Sequence, residues 1–192
     1  MDERKSKGQF FTPKTISEFM VRQYNNLHNK DEIKILDPGA GIGIFESTIC
    51  DMLISKSKRP IITFDIYEND ENILPYLKKN MRICKKKMEE SGFEFSYRVY
   101  CDDFIIRNSR FFKRDPAEIG KECFYDYVIS NPPYYKIRKS SPSAKDLEVI
   151  LKGQPNIYIL FMALSAKLLK ERGKLVVITP RSYCSGPYFS NF

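Results

Sequence analysis

The sequence predicts an α/β fold built on an open, mostly parallel sheet. Three observations carry that expectation. Apolar runs of strand length alternate with helical patterns, a glycine-rich turn joins the first such run to a helix, and an acid or an amide closes run after run. In sheets of this kind ligands bind outside the carboxyl ends of the strands, so the closing residues are the candidates for chemistry.

The elements follow in order. Thr12 is suited to cap a first helix with Pro13 at its first position, and Ile16, Phe19 and Met20 are expected to face the core. Ile33-Lys34-Ile35-Leu36-Asp37 reads as a buried strand, followed by the turn Pro38-Gly39-Ala40-Gly41-Ile42-Gly43. A helix comes next, with Phe45, Ile49, Met52 and Leu53 on one face. The glycine spacing fails the dinucleotide fingerprint, because Ile44 stands where its third glycine belongs. Asp37 also suits a cationic amino-acid group better than a pyrophosphate. A nicotinamide-dependent oxidoreductase is therefore the weakest reading.

Ile61-Ile62-Thr63-Phe64-Asp65-Ile66-Tyr67-Glu68 is a second strand ending in an acid, placed to accept from both hydroxyls of a ribose. A helix from about Pro75 turns Tyr76, Met81, Cys84 and Met88 inward and leaves Lys85, Lys86 and Lys87 on a solvated face. Val99-Tyr100-Cys101-Asp102-Asp103-Phe104 closes a third strand with an acid and an aromatic ring, fit to take an adenine amino hydrogen and to cover the ring. Phe111 and Phe112, set among four basic residues between Arg107 and Arg114, are expected to be buried. Asn156 caps a helix with Leu160, Phe161, Leu164 and Leu168 inside, closed by Lys170, Arg172 and Gly173. Lys174-Leu175-Val176-Val177-Ile178-Thr179 is expected as a central parallel strand.

Asn131-Pro132-Pro133-Tyr134 follows the apolar run Tyr125-Asp126-Tyr127-Val128-Ile129 and carries the most chemistry. Two prolines fix φ and lack N–H groups, which leaves carbonyls open to a ligand. A planar amine delocalises its lone pair and attacks poorly. The Asn131 side-chain oxygen and the Pro132 carbonyl would accept its two hydrogens and turn the lone pair toward a methyl group on sulfur, by positioning and electrostatics alone. Tyr134 would stack on the flat ring.

Composition narrows the field. A chain of 192 residues with 42% hydrophobic content suits one domain with a sizeable core. No apolar run reaches membrane-spanning length and no signal peptide opens the chain, so a cytoplasmic location is expected. Cys50, Cys84, Cys101, Cys123 and Cys184 lack metal-ligand spacing and are expected to be reduced and buried. None follows a proline, as the nucleophile of cytosine-carbon methyltransferases does. With His28 the only histidine, histidine-based acid–base or metal chemistry is disfavoured, and no metal site is expected. The net charge of +8 favours nucleic acid as a partner. Residues 135–142, basic and flexible, are a candidate phosphate grip beside an extruded base.

Taken together, Lys7-Gly8-Gln9-Phe10-Phe11-Thr12-Pro13, Asp37-Pro38-Gly39-Ala40-Gly41, Glu68, Asp103-Phe104 and Asn131-Pro132-Pro133-Tyr134 resemble the ordered motifs of adenine-N6 DNA methyltransferases of the gamma class. Gln154-Pro155-Asn156-Ile157-Tyr158 and Thr179-Pro180-Arg181-Ser182-Tyr183 resemble the Eco57I-type restriction-modification methylases. The resemblance implies a Rossmann-like class I fold using S-adenosylmethionine, with the last strands of the sheet and a target-recognition domain absent from these residues. It implies Thr12, Asp37, Pro38, Gly39 and Ala40 at the methionine part of the cofactor, Glu68 at its ribose, and Asp103 with Phe104 at its adenine. Pro133 would line the pocket near the sulfonium, while Asn131, Pro132 and Tyr134 hold an adenine flipped out of double-stranded DNA. A restriction endonuclease or specificity subunit is the implied partner. Methyl transfer to RNA or to a protein glutamine is the competing reading, as is a non-catalytic subunit that binds DNA and cofactor.

Overall fold

The computed structural model describes residues 11–24, 27–112, 114, 118, 124–136 and 156–181. Its five strands are β1 (Glu32–Asp37), β2 (Ile61–Tyr67), β3 (Phe95–Tyr100), β4 (Tyr125–Ser130) and β5 (Leu169–Val177). They form one sheet in the order β3-β2-β1-β4-β5, and every pairing is parallel. The helices are α1 (Lys14–Arg22), α2 (Ile44–Ile54), α3 (Leu74–Glu90), α4 (Phe104–Asn108) and α5 (Ile157–Lys167).

The chain winds from β1 outward to β3, then returns to place β4 on the other side of β1. The strand order therefore reverses between β1 and β4. At that switch point the connections leave in opposite directions and open a crevice above the strand ends.

Both faces of the sheet are covered, which is why the strands read as continuous apolar runs. On one face Ile33, Ile35, Ile62, Phe64 and Ile66 meet α1, α2 and α3 through Met20, Phe45, Leu53, Leu77 and Met81. On the other, Leu36 and Val128 meet α4 and α5 through Phe104, Ile105, Leu160, Phe161 and Leu164. Phe111 and Phe112 are buried in that second layer, as expected. Asp126 stays soluble within β4 by accepting from Lys30 at 2.6 Å, from Lys170 at 3.0 Å and from the backbone N–H of Lys34.

Several expectations are corrected. Pro13, not Thr12, occupies the cap position of α1, and no side chain caps that helix. Its buried face is Ser17, Met20 and Val21, while Ile16 and Phe19 point outward. Ser17 earns burial through its hydroxyl, 2.7 Å from that of Thr48, so a polar residue sits in the inward stripe. In α3 the inward set is Leu74, Leu77, Met81, Cys84 and Met88, and Tyr76 is exposed. Asn156 caps α5 as expected, but the helix ends at Lys167. Residues 170–173 instead lie within β5, where Arg172 has φ 62° and the register against β4 shifts. Among the described residues β5 is an edge strand, not a central one. Cys50 and Cys84 are buried free thiols, whereas Cys101 is exposed. Residues 137–142, Cys123 and Cys184 lie outside the described residues. Among the described residues no helix is long and apolar enough to cross a membrane.

Gly43 ends the glycine turn and caps α2 with φ 85°. A Cβ there would stand 3.1 Å from Leu77 Cδ1. Left-handed backbone costs a non-glycine residue about 1–2 kcal/mol, so Gly43→Ala is expected to lower unfolding free energy by at least that amount in a urea titration.

Candidate active site at the carboxyl edge of the sheet

Asp37 is the last residue of β1 and is fully buried. Its Oδ1 accepts from the Gly39 N–H at 3.0 Å, and its Oδ2 is buried with no donor among the described residues. Burial pushes its pKa up to about 7, with the Gly39 N–H opposing and Glu68 adding to the rise. The turn that follows is tied to β2, because the Ala40 N–H donates to the Tyr67 carbonyl at 3.0 Å. Gly41 has φ 57°, which lets the backbone turn above Asp37 at no steric cost.

Glu68 follows β2 and supports the same turn from the side. Its Oε2 accepts from the Gly41 N–H at 2.9 Å and its Oε1 from the Asp70 N–H at 2.8 Å. Burial raises its pKa, partly offset by those N–H groups. Each carboxylate oxygen keeps a second lone pair for a ligand hydroxyl. Asp103 lies beyond β3 and caps α4, accepting from the Ile106 N–H at 3.0 Å. Phe104 is only 2% exposed, its ring 5.1 Å from that of Tyr67 and 5.4 Å from that of Phe161. It forms part of the wall beneath the crevice and shows no open face.

The turn after β4 faces this loop. Asn131 Nδ2 donates to Thr12 Oγ1 at 3.1 Å, which brings the segment before α1 onto the site. That bond explains why Thr12 does not cap its own helix. Thr12, Gly39, Ala40, Gly41 and Asn131 line one small cleft of about 40 Å³, together with Phe11. The Tyr134 hydroxyl stands 2.9 Å from Asn131 Oδ1 and 2.8 Å from the Ile178 carbonyl. A phenol has one hydrogen, so it donates to one of these oxygens at a time. Burial, then Tyr158, pushes the Tyr134 pKa up to about 12, so the hydroxyl keeps that hydrogen at neutral pH.

Two participants escape a reading of the sequence. The Ile178 carbonyl matters through its backbone, which carries no sequence signal. Glu46, in the first turn of α2, is fully buried, and neither of its oxygens has a hydrogen-bond partner among the described residues. Its signal is periodic: it falls in one inward stripe with Ile49, Cys50 and Leu53.

A parallel sheet with a strand-order reversal, a glycine turn after β1 and an acid after β2 defines the class I S-adenosylmethionine-dependent methyltransferase fold. Solved structures agree. A protein of Listeria monocytogenes assigned to that class superposes with a TM-score of 0.64 at 17% identity, over 94% of this chain and 50% of that one. The type IIG restriction endonuclease BpuSI superposes with a TM-score of 0.63 at 18% identity, over 96% of this chain and 21% of that one.

The chain belongs to the Eco57I restriction-modification methylase family, whose model matches residues 44–192. It is 35% identical over 188 residues to the type II methyltransferase M.BsuBI of Bacillus subtilis, covering 96% of this chain and 36% of that protein. It is 30% identical over 192 residues to the type II methyltransferase M.PstI of Providencia stuartii, covering 98% and 36%. The chain thus spans about a third of the length of these relatives.

Proposed function

We propose that this chain forms the methyl-transfer core of a DNA methyltransferase that modifies the exocyclic N6 of adenine within a restriction-modification system. The observation that carries the proposal is the meeting of the Asn131 turn with the glycine turn across the β1–β4 switch point, through Thr12. A group that accepts an amine's hydrogens and a cradle for an amino-acid cofactor then face one reaction space. The membership in a family of restriction-modification methylases supports DNA as the substrate.

The residues present fit S-adenosylmethionine. Asp37 Oδ2, buried with no donor among the described residues, has two lone pairs and so can take an ammonium hydrogen beside one other donor, and the carboxylate of Glu68 suits ribose hydroxyls. Pro38, Gly39 and Ala40 would follow the methionine part, Asp103 would meet the adenine, and Phe104 would back it from the wall. Pro133 would line the approach to the sulfonium. When bound, the cofactor supplies a methyl group activated by positive sulfur.

The protein's own part is orientation. Asn131 Oδ1 and the Pro132 carbonyl accept the two hydrogens of the target amine and aim its lone pair, with no covalent intermediate. The Tyr134 hydroxyl gives its hydrogen to the Ile178 carbonyl at that moment, leaving Asn131 Oδ1 to the amine. The Tyr134 ring then stacks on the extruded base. The base is read in a DNA duplex whose phosphates meet the basic surface.

Calorimetry checks the cofactor. Titration of S-adenosylmethionine into the protein is expected to show saturable one-to-one binding, weakened by Asp37→Asn. Failure of a folded sample to bind it, with NADH binding in its place, would overturn the assignment.

A further inference from the structure

Among the buried acids that the proposed chemistry does not use, Glu46 stands next to the site. Glu46 is fully buried on α2, directly behind the glycine turn, and its Oε2 lies 3.6 Å from where a Cβ on Gly43 would stand. Its carboxyl and that of Asp37 interact directly. Three oxygens of this pair, Asp37 Oδ2 and both of Glu46, have no hydrogen-bond partner among the described residues. Two carboxylates only accept, so neither can satisfy the other. One hydrogen placed between them joins one oxygen of each carboxyl.

The surroundings decide which member carries it. Asp37 has the Gly39 N–H on its other oxygen, a donor that favours the anion. The donor nearest Glu46 is its own backbone N–H, a lesser influence than its burial and the facing Asp37 carboxyl; Cys84 from α3 and Cys50 on its own helix also face it. Its pKa is raised well above the ordinary range, by burial first and by Asp37 second. Glu68 is the further charge felt at Asp37.

We propose that Glu46 is a positioning residue for the cofactor cleft: its neutral carboxyl donates a hydrogen bond to Asp37 Oδ2 and so fixes Asp37 as the anion that receives the ammonium group of an amino-acid ligand. The proposal rests on the cofactor reading above for its ligand, and on the buried pair alone for its protonation. A neutral acid under the turn lets the site hold one negative charge where two would repel. It also makes ligand binding sensitive to pH, because Asp37 protonates near neutrality and a protonated Asp37 no longer attracts a cation.

Two measurements test this on the 192-residue chain. Carboxyl carbon-13 chemical shifts of the ligand-free protein are expected to show Glu46 protonated at neutral pH, with Asp37 titrating near 7. Glu46 ionising in the ordinary carboxylate range overturns the proposal whether or not any ligand binds. Calorimetry with S-adenosylmethionine from about pH 6 to about pH 9 supplies the second, on wild type, Glu46→Gln and Glu46→Leu, each checked for folding by circular dichroism.

Wild-type affinity is expected to fall by about tenfold per pH unit below the Asp37 titration, as one-proton linkage requires. Glu46→Gln, whose amide still donates, is expected to stay within about threefold of wild type. Glu46→Leu removes the donor and moves the Asp37 titration upward, weakening binding by about tenfold relative to wild type near neutrality, a gap that closes by about pH 9 when the two are compared at the same pH. Glu46→Leu matching wild type at every pH, or Glu46→Gln failing like Glu46→Leu, overturns the role. A wild-type protein that binds no S-adenosylmethionine overturns the cofactor reading and the ligand named here, while the carbon-13 result still reports on the pair itself.

Discussion

Asn131→Ala in the full-length protein is expected to slow methyl transfer to DNA by about a hundredfold or more, close to 3 kcal/mol at the transition state. The side chain stands between two parts of the site. Its amide nitrogen reaches Thr12 and its oxygen meets the Tyr134 hydroxyl. In the proposed reading, alanine removes the acceptor that aims the amine. The Tyr134 hydroxyl keeps its bond to the Ile178 carbonyl, so the stacking ring should hold its place. Single-turnover rates with saturating cofactor isolate the step, since cofactor affinity is expected to change by no more than about threefold. A variant with near wild-type turnover would show that Asn131 is not the acceptor.

Phe104→Ala is expected to destabilise the fold by about 3–5 kcal/mol, the cost of emptying a closed aromatic site. Phe104 is 2% exposed and lies between Tyr67 and Phe161, which links α4 to α5 over the second layer. Chemical unfolding of the ligand-free protein measures this directly. A purely ligand-covering ring would instead leave unfolding unchanged and weaken cofactor binding alone. The variant Phe104→Leu refines the distinction, since it keeps most of the packing and removes the aromatic face.

The fold class was legible because parallel strands buried on both faces leave a coarse signal: Ile33 to Asp37 and Ile61 to Tyr67 are apolar runs of strand length, each followed by a helix. The placement of Asp37, Glu68 and Asn131 at strand ends was legible for the same reason. Helix faces were read less well, because they depend on partners. Ser17 is buried through a bond to Thr48, which no apolar stripe foretells. Tyr76 lost the inward position to Leu77, one residue on. Residues 170–173 fall inside β5 because Leu169 pairs with Tyr125, a contact invisible to local sequence. In the site, Thr12 lines the cleft beside the glycine turn, held there by Asn131 rather than by its own helix. Glu46 was passed over because one acid in an amphipathic helix reads as solvated until its neighbours are known.

The central claim is that these residues direct a methyl group to the N6 of adenine in DNA. Its most direct test is nucleoside analysis by mass spectrometry. Mixed-sequence duplex DNA is incubated with the full-length protein and methyl-labelled S-adenosylmethionine, then digested to nucleosides. Labelled N6-methyladenine is the expected product, lost in Asn131→Ala. Label in cytosine, or transfer to RNA or protein with none to DNA, would contradict it.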